Sequence, residues 1–466
     1  MSVPALAGAA PQPRLAGSTG KLSVRWTTPR ILQAGLGSIW IGCLVLFLAA
    51  NAAVQSDRQA VQTIGRDSAP SVIAAAQVRA SMADMDANAA NLLLGPANGM
   101  PEGENSFQAD SVDAAHELVA AAENITYGDQ ERIPIQTMVA GLGDYRQGIA
   151  QARLLHARGD EPGALDAYRA ATDMMHQTLL PAAVTLGTVN QSYLDQAYQG
   201  HQSTAILQEL LVGLLGILGI AALVALQVFL SRRTQRTFNP ALVLATLVLA
   251  VLCVKTITTL SAGSQELKVA KQDAFDSVVA LWQARAVAFD ANGDESRYLL
   301  DPGRANDEQA LFLQRTALLV DTGGASLDQA VTAANRGQIQ FQGYIANELN
   351  NITFPGERDA ALAMLQDYAV YMGLDAQIRS FEQAGRHQDA IALDTGTQQG
   401  QSDWAFSQFD ASLGKVLDIN AQAFADSIDR GFALVGWFSL GAPLMLLAVA
   451  GLTLLGLWPR LSEYRS

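Results

Sequence analysis

Four apolar runs, residues 31–54, 210–230, 241–260 and 432–458, interrupt a chain that is otherwise mixed in polarity. Each is long enough to cross a bilayer as a helix, which takes about 20 residues. The long stretches between them, 55–209 and 261–431, are rich in Ala, Gln, Leu and Asp and carry little β-type alternation, so they read as helical. In the first, a helix continues from the membrane through Leu94 and stops at Gly95-Pro96. A second is expected over residues 105–125, ending at Thr126-Tyr-Gly-Asp, and a third over 130–158, broken at Gly159. Pro162 suits the first turn of a fourth helix that runs on into the next span. Short connections between four helices predict an up-down antiparallel bundle. Its tips near Gly95 and Arg158 point away from the bilayer, and its turn at residues 124–129 points back.

The second long stretch repeats the first. Ser71, Val72, Ala74, Gln77, Arg79, Ala80, Asp84, Leu93, Leu94 and Pro96 lie over identical residues when Ser71 is placed on Ser277. Asn-Ile-Thr-Tyr from Asn124 then faces Asn-Ile-Thr-Phe from Asn351, and Tyr145, Gln151, Arg153, Gly159 and Ala164 face Tyr371, Gln377, Arg379, Gly385 and Ala390. The blocks stay collinear while the offset grows by about 20 residues, which predicts an insertion near residues 303–324 that enlarges a distal tip. The expected fold is an all-α membrane protein with four transmembrane helices and two tandem extracytoplasmic four-helix bundles related by internal duplication. Fusing two equivalent halves replaces the symmetry of a homodimer, so the bundles are expected to pack on each other.

Charge orients the chain. Arg14, Lys21, Arg25 and Arg30 precede the first span, Arg232, Arg233 and Arg236 lie between the second and third, and Arg460 and Arg465 follow the last, with Glu463 the lone acid among these segments. The positive-inside rule therefore puts tail 1–30, loop 231–240 and tail 459–466 in the cytoplasm. A preceding tail of about 30 residues and an apolar core longer than the usual h-region of about 7–15 residues make the first run a retained span rather than a cleaved signal peptide. Nearly all carboxylates are then outside, which accounts for the formal charge of −14 and argues against a nucleic-acid partner. Within the spans, Lys255 is expected to snorkel, Gly213, Gly216 and Gly219 to offer a face for close packing, and Pro443 to kink the last helix.

Catalytic chemistry is hard to find. Cys43 and Cys253 lie in spans, and His116, His156, His176, His201 and His387 have no metal-ligand spacing. No phosphate loop or nucleophile elbow is present, so neither a cofactor nor an enzymatic activity is expected. The repeated polar residues are the remaining candidates. Gln77, Arg79 and Asp84, with Gln283, Arg285 and Asp290, either fix helix register or grip a carboxylate ligand. The turn residues Asn124, Thr126, Tyr127, Glu131 and Arg132, with Asn351, Thr353, Phe354, Glu357 and Arg358, either cap helix ends or couple bundle movement to the spans. Arg232, Arg233 and Arg236 offer a cytoplasmic surface to a partner.

The architecture and the repeated Asn-Ile-Thr-Tyr/Phe and Glu-Arg turns resemble the actinobacterial membrane protein of the glutamine-binding-lipoprotein and protein kinase G system, itself similar to chemoreceptor input regions. The resemblance implies an extracellular solute-binding lipoprotein as one partner, a cytoplasmic serine/threonine kinase as the other, and an amino-acid signal between them. The alternative is a non-catalytic envelope scaffold or accessory subunit of a transporter.

Overall fold

The computed structural model describes residues 28–95, 101–234 and 239–463. These are helical almost throughout, and no strand occurs among them beyond one bridge between Asp321 and Gln342. The first half comprises α1 (Thr28–Gln62), α2 (Ala69–Leu94), α3 (Pro101–Glu123), α4 (Asp129–Ala157), α5 (Glu161–Met174) and α6 (Leu180–Thr234). The second comprises α7 (Pro240–Lys268), α8 (Asp276–Leu300), α9 (Ala305–Leu319), α10 (Leu327–Asn335), α11 (Tyr344–Asn350), α12 (Glu357–Gln383), α13 (His387–Asp394), α14 (Ser402–Gly436) and α15 (Phe438–Glu463).

Four of the resulting rods, Thr28–Leu94, Glu161–Arg233, Pro240–Leu300 and Ser402–Ser462, are long and apolar enough to cross a membrane. Their apolar ends carry an outward belt of exposed side chains, among them Ile41, Leu44, Leu48, Leu210, Leu214, Ile217, Leu247, Val254, Leu440 and Leu444. Such a belt is costly in water and suits hydrocarbon. Inside the belt the glycines of α6 seat on α7. A methyl at Gly216 would come within 2.6 Å of Cys253 Sγ, and one at Gly219 within 3.2 Å of Leu249. The Lys255 ammonium stands 4.8 Å from the Trp437 ring centre. Trp437 marks the interruption between α14 and α15, about one and a half turns ahead of Pro443.

The helices do not pass from span to polar rod in register. A π-helical segment, Thr63–Ser68, separates α1 from α2, and another, Val269–Phe275, separates α7 from α8. A third, Met175–Leu179, joins α5 to α6. One extra residue rotates everything beyond it by about 100° around the axis. The lipid-facing stripe of each span is thereby re-aimed so that α2 and α8 turn a wide face inward. Those two helices pack on each other more extensively than any other pair, and their side chains share one continuous apolar core with α3, α4, α9, α12 and α14. Small residues along α2, including Ala75, Ala83, Ala87 and Ala90, allow the close approach.

The insertion is not at the distal tip. The turn from Leu300 to Ala305 is short, and the extra residues instead split the second helix of the second half into α9 and α11. Paired hydrogen bonds of 2.8 Å between Asp321 and Gln342 close the neck of the inserted loop, and its helix α10 lies on the flank of α12 through Ala330 and Ala334. The halves differ again at the fourth rod, where the π segment of the first half gives way to a loop between α13 and α14 in the second.

Candidate functional site

The two Asn-Ile-Thr turns join the polar rods to the π segments. Asn124 Nδ2 donates to Ser71 Oγ (2.5 Å) and to the carbonyl of Asp67 (3.2 Å), inside the first π segment. At the matching position, Asn351 Nδ2 donates to Ser277 Oγ (2.9 Å) and to the carbonyl of Asp273 (3.4 Å), inside the second. Each turn is pinned from behind by a buried carboxylate. Glu131 Oε2 accepts from the backbone N–H of Thr126 (2.7 Å) and Tyr127 (2.5 Å), and Glu357 Oε2 from those of Thr353 (2.6 Å) and Phe354 (2.9 Å). Thr126 and Thr353 close the turns by donating to the carbonyls of Asn124 and Asn351. Gly128 and Gly356 sit at φ +68° and +84°, where a side chain is disfavoured.

The aromatic position is used differently in each half. Tyr127 stacks on Tyr193 of α6 with centroids 3.7 Å apart, and its hydroxyl shares a 3.1 Å hydrogen bond with Ser68 Oγ. Phe354 packs against the span-proximal apolar cluster. The arginines stand outside this machinery. Arg132 is exposed and pairs with Asp129, whereas Arg358 donates to the carbonyl of Ala334 at the end of α10 (3.3 Å).

Each π segment also rests on a rod of the opposite half. Gly65 faces Ile428 of α14, where an added methyl would fall within 2.6 Å of Cγ2, and Arg66 lies over the Phe432 ring at 4.4 Å. Reciprocally, Lys271 reaches Asp195 of α6 at 2.9 Å while also bonding Asp276 at 2.6 Å. In the second half, Asn420 of α14 bridges Glu357 (2.8 Å) and Glu348 (3.3 Å). Burial, and then the charge of Glu357, push the Glu348 carboxyl up to about 8.

The repeated polar residues of α2 and α8 do not converge on one pocket. Arg285 makes a two-pronged pair with Asp410 of α14, both contacts 2.6 Å. Arg79 instead crosses to Asp290, 4.0 Å away. Asp84 accepts from Asn88 (3.0 Å), and its carboxyl is held well above the usual range by burial, then by Asp110 and Asp410. Gln283 accepts from Tyr344 (3.3 Å), and Gln77 is half-buried on α2. Arg232 and Arg233 are exposed at the end of α6, and Arg236 lies outside the described residues.

Sequence reasoning missed the polar centre of the α2–α8 contact. Asp86, 1% exposed, accepts from Tyr145 (2.9 Å), Thr172 (2.8 Å), His176 (3.1 Å) and Arg297 of α8 (2.7 Å). Arg297 also reaches Asp294 (2.7 Å) and Glu308 (3.1 Å), and Arg315 reaches Asp294. Burial opposes ionisation of Asp86, but the hydrogen bond from His176 and the charge of Arg297 outweigh it and hold the carboxyl down at about 2. The signal in the sequence was a second acid, two residues after Asp84, among Met82, Ala83, Met85, Ala87, Ala89 and Ala90. It was hidden because Asn292 and Asn91 stand at the repeat positions of Asp86 and Arg297.

No cluster of His, Cys, Asp or Glu among the described residues is arranged to hold a metal ion. The turns bond polar rods to helical segments that are continuous with the apolar spans. Residues 60–199 match the family model of the actinobacterial sensor domain, a stretch that starts just before the first π segment and contains the first turn. No curated protein and no solved structure matches the chain. The match supports a sensor protein of actinobacteria, and the four long apolar helices support a membrane protein.

Proposed function

We propose that this protein is a multi-pass transmembrane signal transducer built from two duplicated helical bundles outside the cell, with both termini in the cytoplasm. An amino acid, delivered by a solute-binding lipoprotein that docks on the bundles, biases the rods. The displacement passes through the Asn124 and Asn351 turns into the π segments and moves the spans by about 1–2 Å, the scale of known helix-shift switches. A cytoplasmic serine/threonine kinase reads the new arrangement of the basic loop that includes Arg232 and Arg233. The reading rests above all on the two asparagines that bond backbone carbonyls within the π segments, since these segments are continuous with the spans. A π turn is a low-cost place for a helix to change its phase.

Co-purification from native membranes tests the partners: a solute-binding lipoprotein and a kinase are expected, and the absence of both would overturn the relay. Coupling is tested by spin labels on the cytoplasmic ends of α1 and α6, measured with and without the lipoprotein and candidate amino acids. The distance should change in the native protein and stay constant in the N124A/N351A double variant. One observation favours a second reading: the Asp86–Arg297 lock welds the halves together, as a passive envelope scaffold or transporter subunit would require. A distance that never responds to lipoprotein or amino acid selects that alternative.

A further inference from the structure

Between the apolar run of α1 and the first π segment, Asp57 meets His201 of α6. Oδ1 stands 3.4 Å from Nε2, and the two residues are 3% and 8% exposed. The far atom of each group, Asp57 Oδ2 and His201 Nδ1, is buried without a hydrogen-bond partner. Oδ2 lies against bare backbone at Gly263 of α7, where an added methyl would come within 3.2 Å of it.

The second half builds the same junction without such a pair. The offset that places Ser71 on Ser277 places Asp57 on Gly263. Asn190 and Asn420 each donate to the carbonyl four residues earlier, and eleven residues beyond them stand His201 and Gly431. Two glycines thus serve where the first half buries an acid and an imidazole, whose desolvation is costly. The fold does not require the pair. Neighbouring charges are committed elsewhere: Glu266 of α7 pairs with Arg430 of α14, Asp195 of α6 with Lys271, and Arg66 with Asp429. Arg58 and Lys268 are exposed, and α15 has no ionisable residue before Arg460. Glu209, about 12 Å further along α6, is the group whose charge reaches Asp57. Burial, and then that charge, push the Asp57 carboxyl up to about 7, while burial pushes the His201 imidazole down.

From this arrangement we infer that Asp57 and His201 form a proton-operated latch that sets the spacing of α1 and α6 where they enter the membrane. With one proton between them the pair is neutral, and Oδ1 and Nε2 face each other. Removing that proton leaves a buried carboxylate whose Oδ2 has no donor. Adding a second puts an O–H or N–H at Oδ2 or Nδ1, where no acceptor stands. Either change is met by admitting water, which parts the two rods. The share of Asp57 in the closed state is whole below its ordinary 3.8 and is lost as the pH rises through about 7. That of His201 is whole above its ordinary 6.5 and is lost as the pH falls through its lowered value. The inference goes beyond the relay, because protons are a second input and the latch needs neither lipoprotein nor kinase; it rests on the transducer reading only for what the rods do next.

The test uses the full chain in nanodiscs with spin labels at Arg58→Cys and Gln202→Cys, both exposed, whereas the native Cys43 and Cys253 are buried. The label distance is measured from about pH 5 to about pH 9. It is expected to be shortest just below pH 7 and to lengthen on either side by about 1–2 Å, the scale of helix-shift switches. D57N, neutral at every pH, should lose the alkaline limb and keep the acid one; H201Q should do the reverse. A merely structural pair would change stability on substitution but would not give these separate limbs. A flat native profile overturns the latch, as does an alkaline limb that survives in D57N. Should a variant fail to fold by circular dichroism, the native profile alone decides. A flat profile here, with a lipoprotein response at the cytoplasmic labels, leaves the relay standing. A pH response here with none at the cytoplasmic labels leaves the latch and counts against transmission through the spans.

Discussion

Replacing Arg297 with Met should loosen the contact between the halves, and the size of the effect follows from the groups left behind. Three carboxylates, Asp86, Asp294 and Glu308, lose their shared cation, and two of them are essentially without solvent contact at 1% and 0% exposure. Asp86 stands at about 2 against an ordinary 3.8, so its interactions contribute about 2 kcal/mol to folding at neutral pH, at about 1.4 kcal/mol per pH unit. Without Arg297 only His176, Tyr145 and Thr172 remain to hold the buried ion, and the limiting response is uptake of a proton. At pH 7 that costs about 4 kcal/mol for an acid whose unfolded value is 3.8. These terms bracket the loss between about 2 and about 6 kcal/mol, around the 3–5 kcal/mol typical of breaking a buried pair. Hydrogen exchange of α2 and α8 peptides reads it directly, as acceleration of roughly 100- to 5,000-fold at pH 7. The sign with pH is distinctive. Asp86 has a depressed value, so in the native protein its contribution persists above 3.8 and disappears only as the pH falls through about 2. In R297M the proton costs under 2 kcal/mol at pH 5, and the deficit should shrink by about 2–3 kcal/mol from its value at pH 7. Unchanged exchange at pH 7, or a deficit that does not depend on pH, would refute the assignment.

Two further predictions concern other parts of the path. Glu348 lies at about 8, above its ordinary 4.5, so the folded protein keeps a proton that the unfolded chain releases; its share of stability is whole below about 4.5 and is lost as the pH rises through 8. Glu348→Gln should leave exchange in the α11–α12 turn nearly independent of pH between 6 and 9, where the native protein speeds up on correction for intrinsic rates; equal pH profiles would sink the idea. Gly216→Ala should destabilise the α6–α7 contact by about 1–3 kcal/mol through overpacking, seen as a lowered melting temperature in detergent. Adding Cys253→Ala should restore it, since the clash is with Sγ.

Much of the fold was legible because long apolar runs and Pro/Gly breaks are read almost without context. The first-half breaks predicted at Gly95, Thr126 and Gly159 fall within three residues of observed helix ends, although α3 starts at Pro101 rather than 105. The turn residues could be found from their repetition, and the bonds of Asn124, Glu131, Asn351 and Glu357 recur at matching positions. The insertion was misplaced because no identical residues bracket it between Pro302 and Asn351, so the offset alone could not say where the chain departs. The π segments have no composition of their own; they exist because two stripes with different facing must be joined in one helix. The α2–α8 lock escaped detection because repetition was the guide, and Asp86 and Arg297 each occur in one half only.

The seam between α2 and α8 also bears on how abundance affects signalling. Sensors assembled from separate chains must find one another, and dilution in the bilayer leaves some of them unpaired. Here the partners are tethered, which holds the effective concentration near the millimolar range for a short connection. The rods that meet at this seam therefore find each other within one copy, however few copies the cell makes.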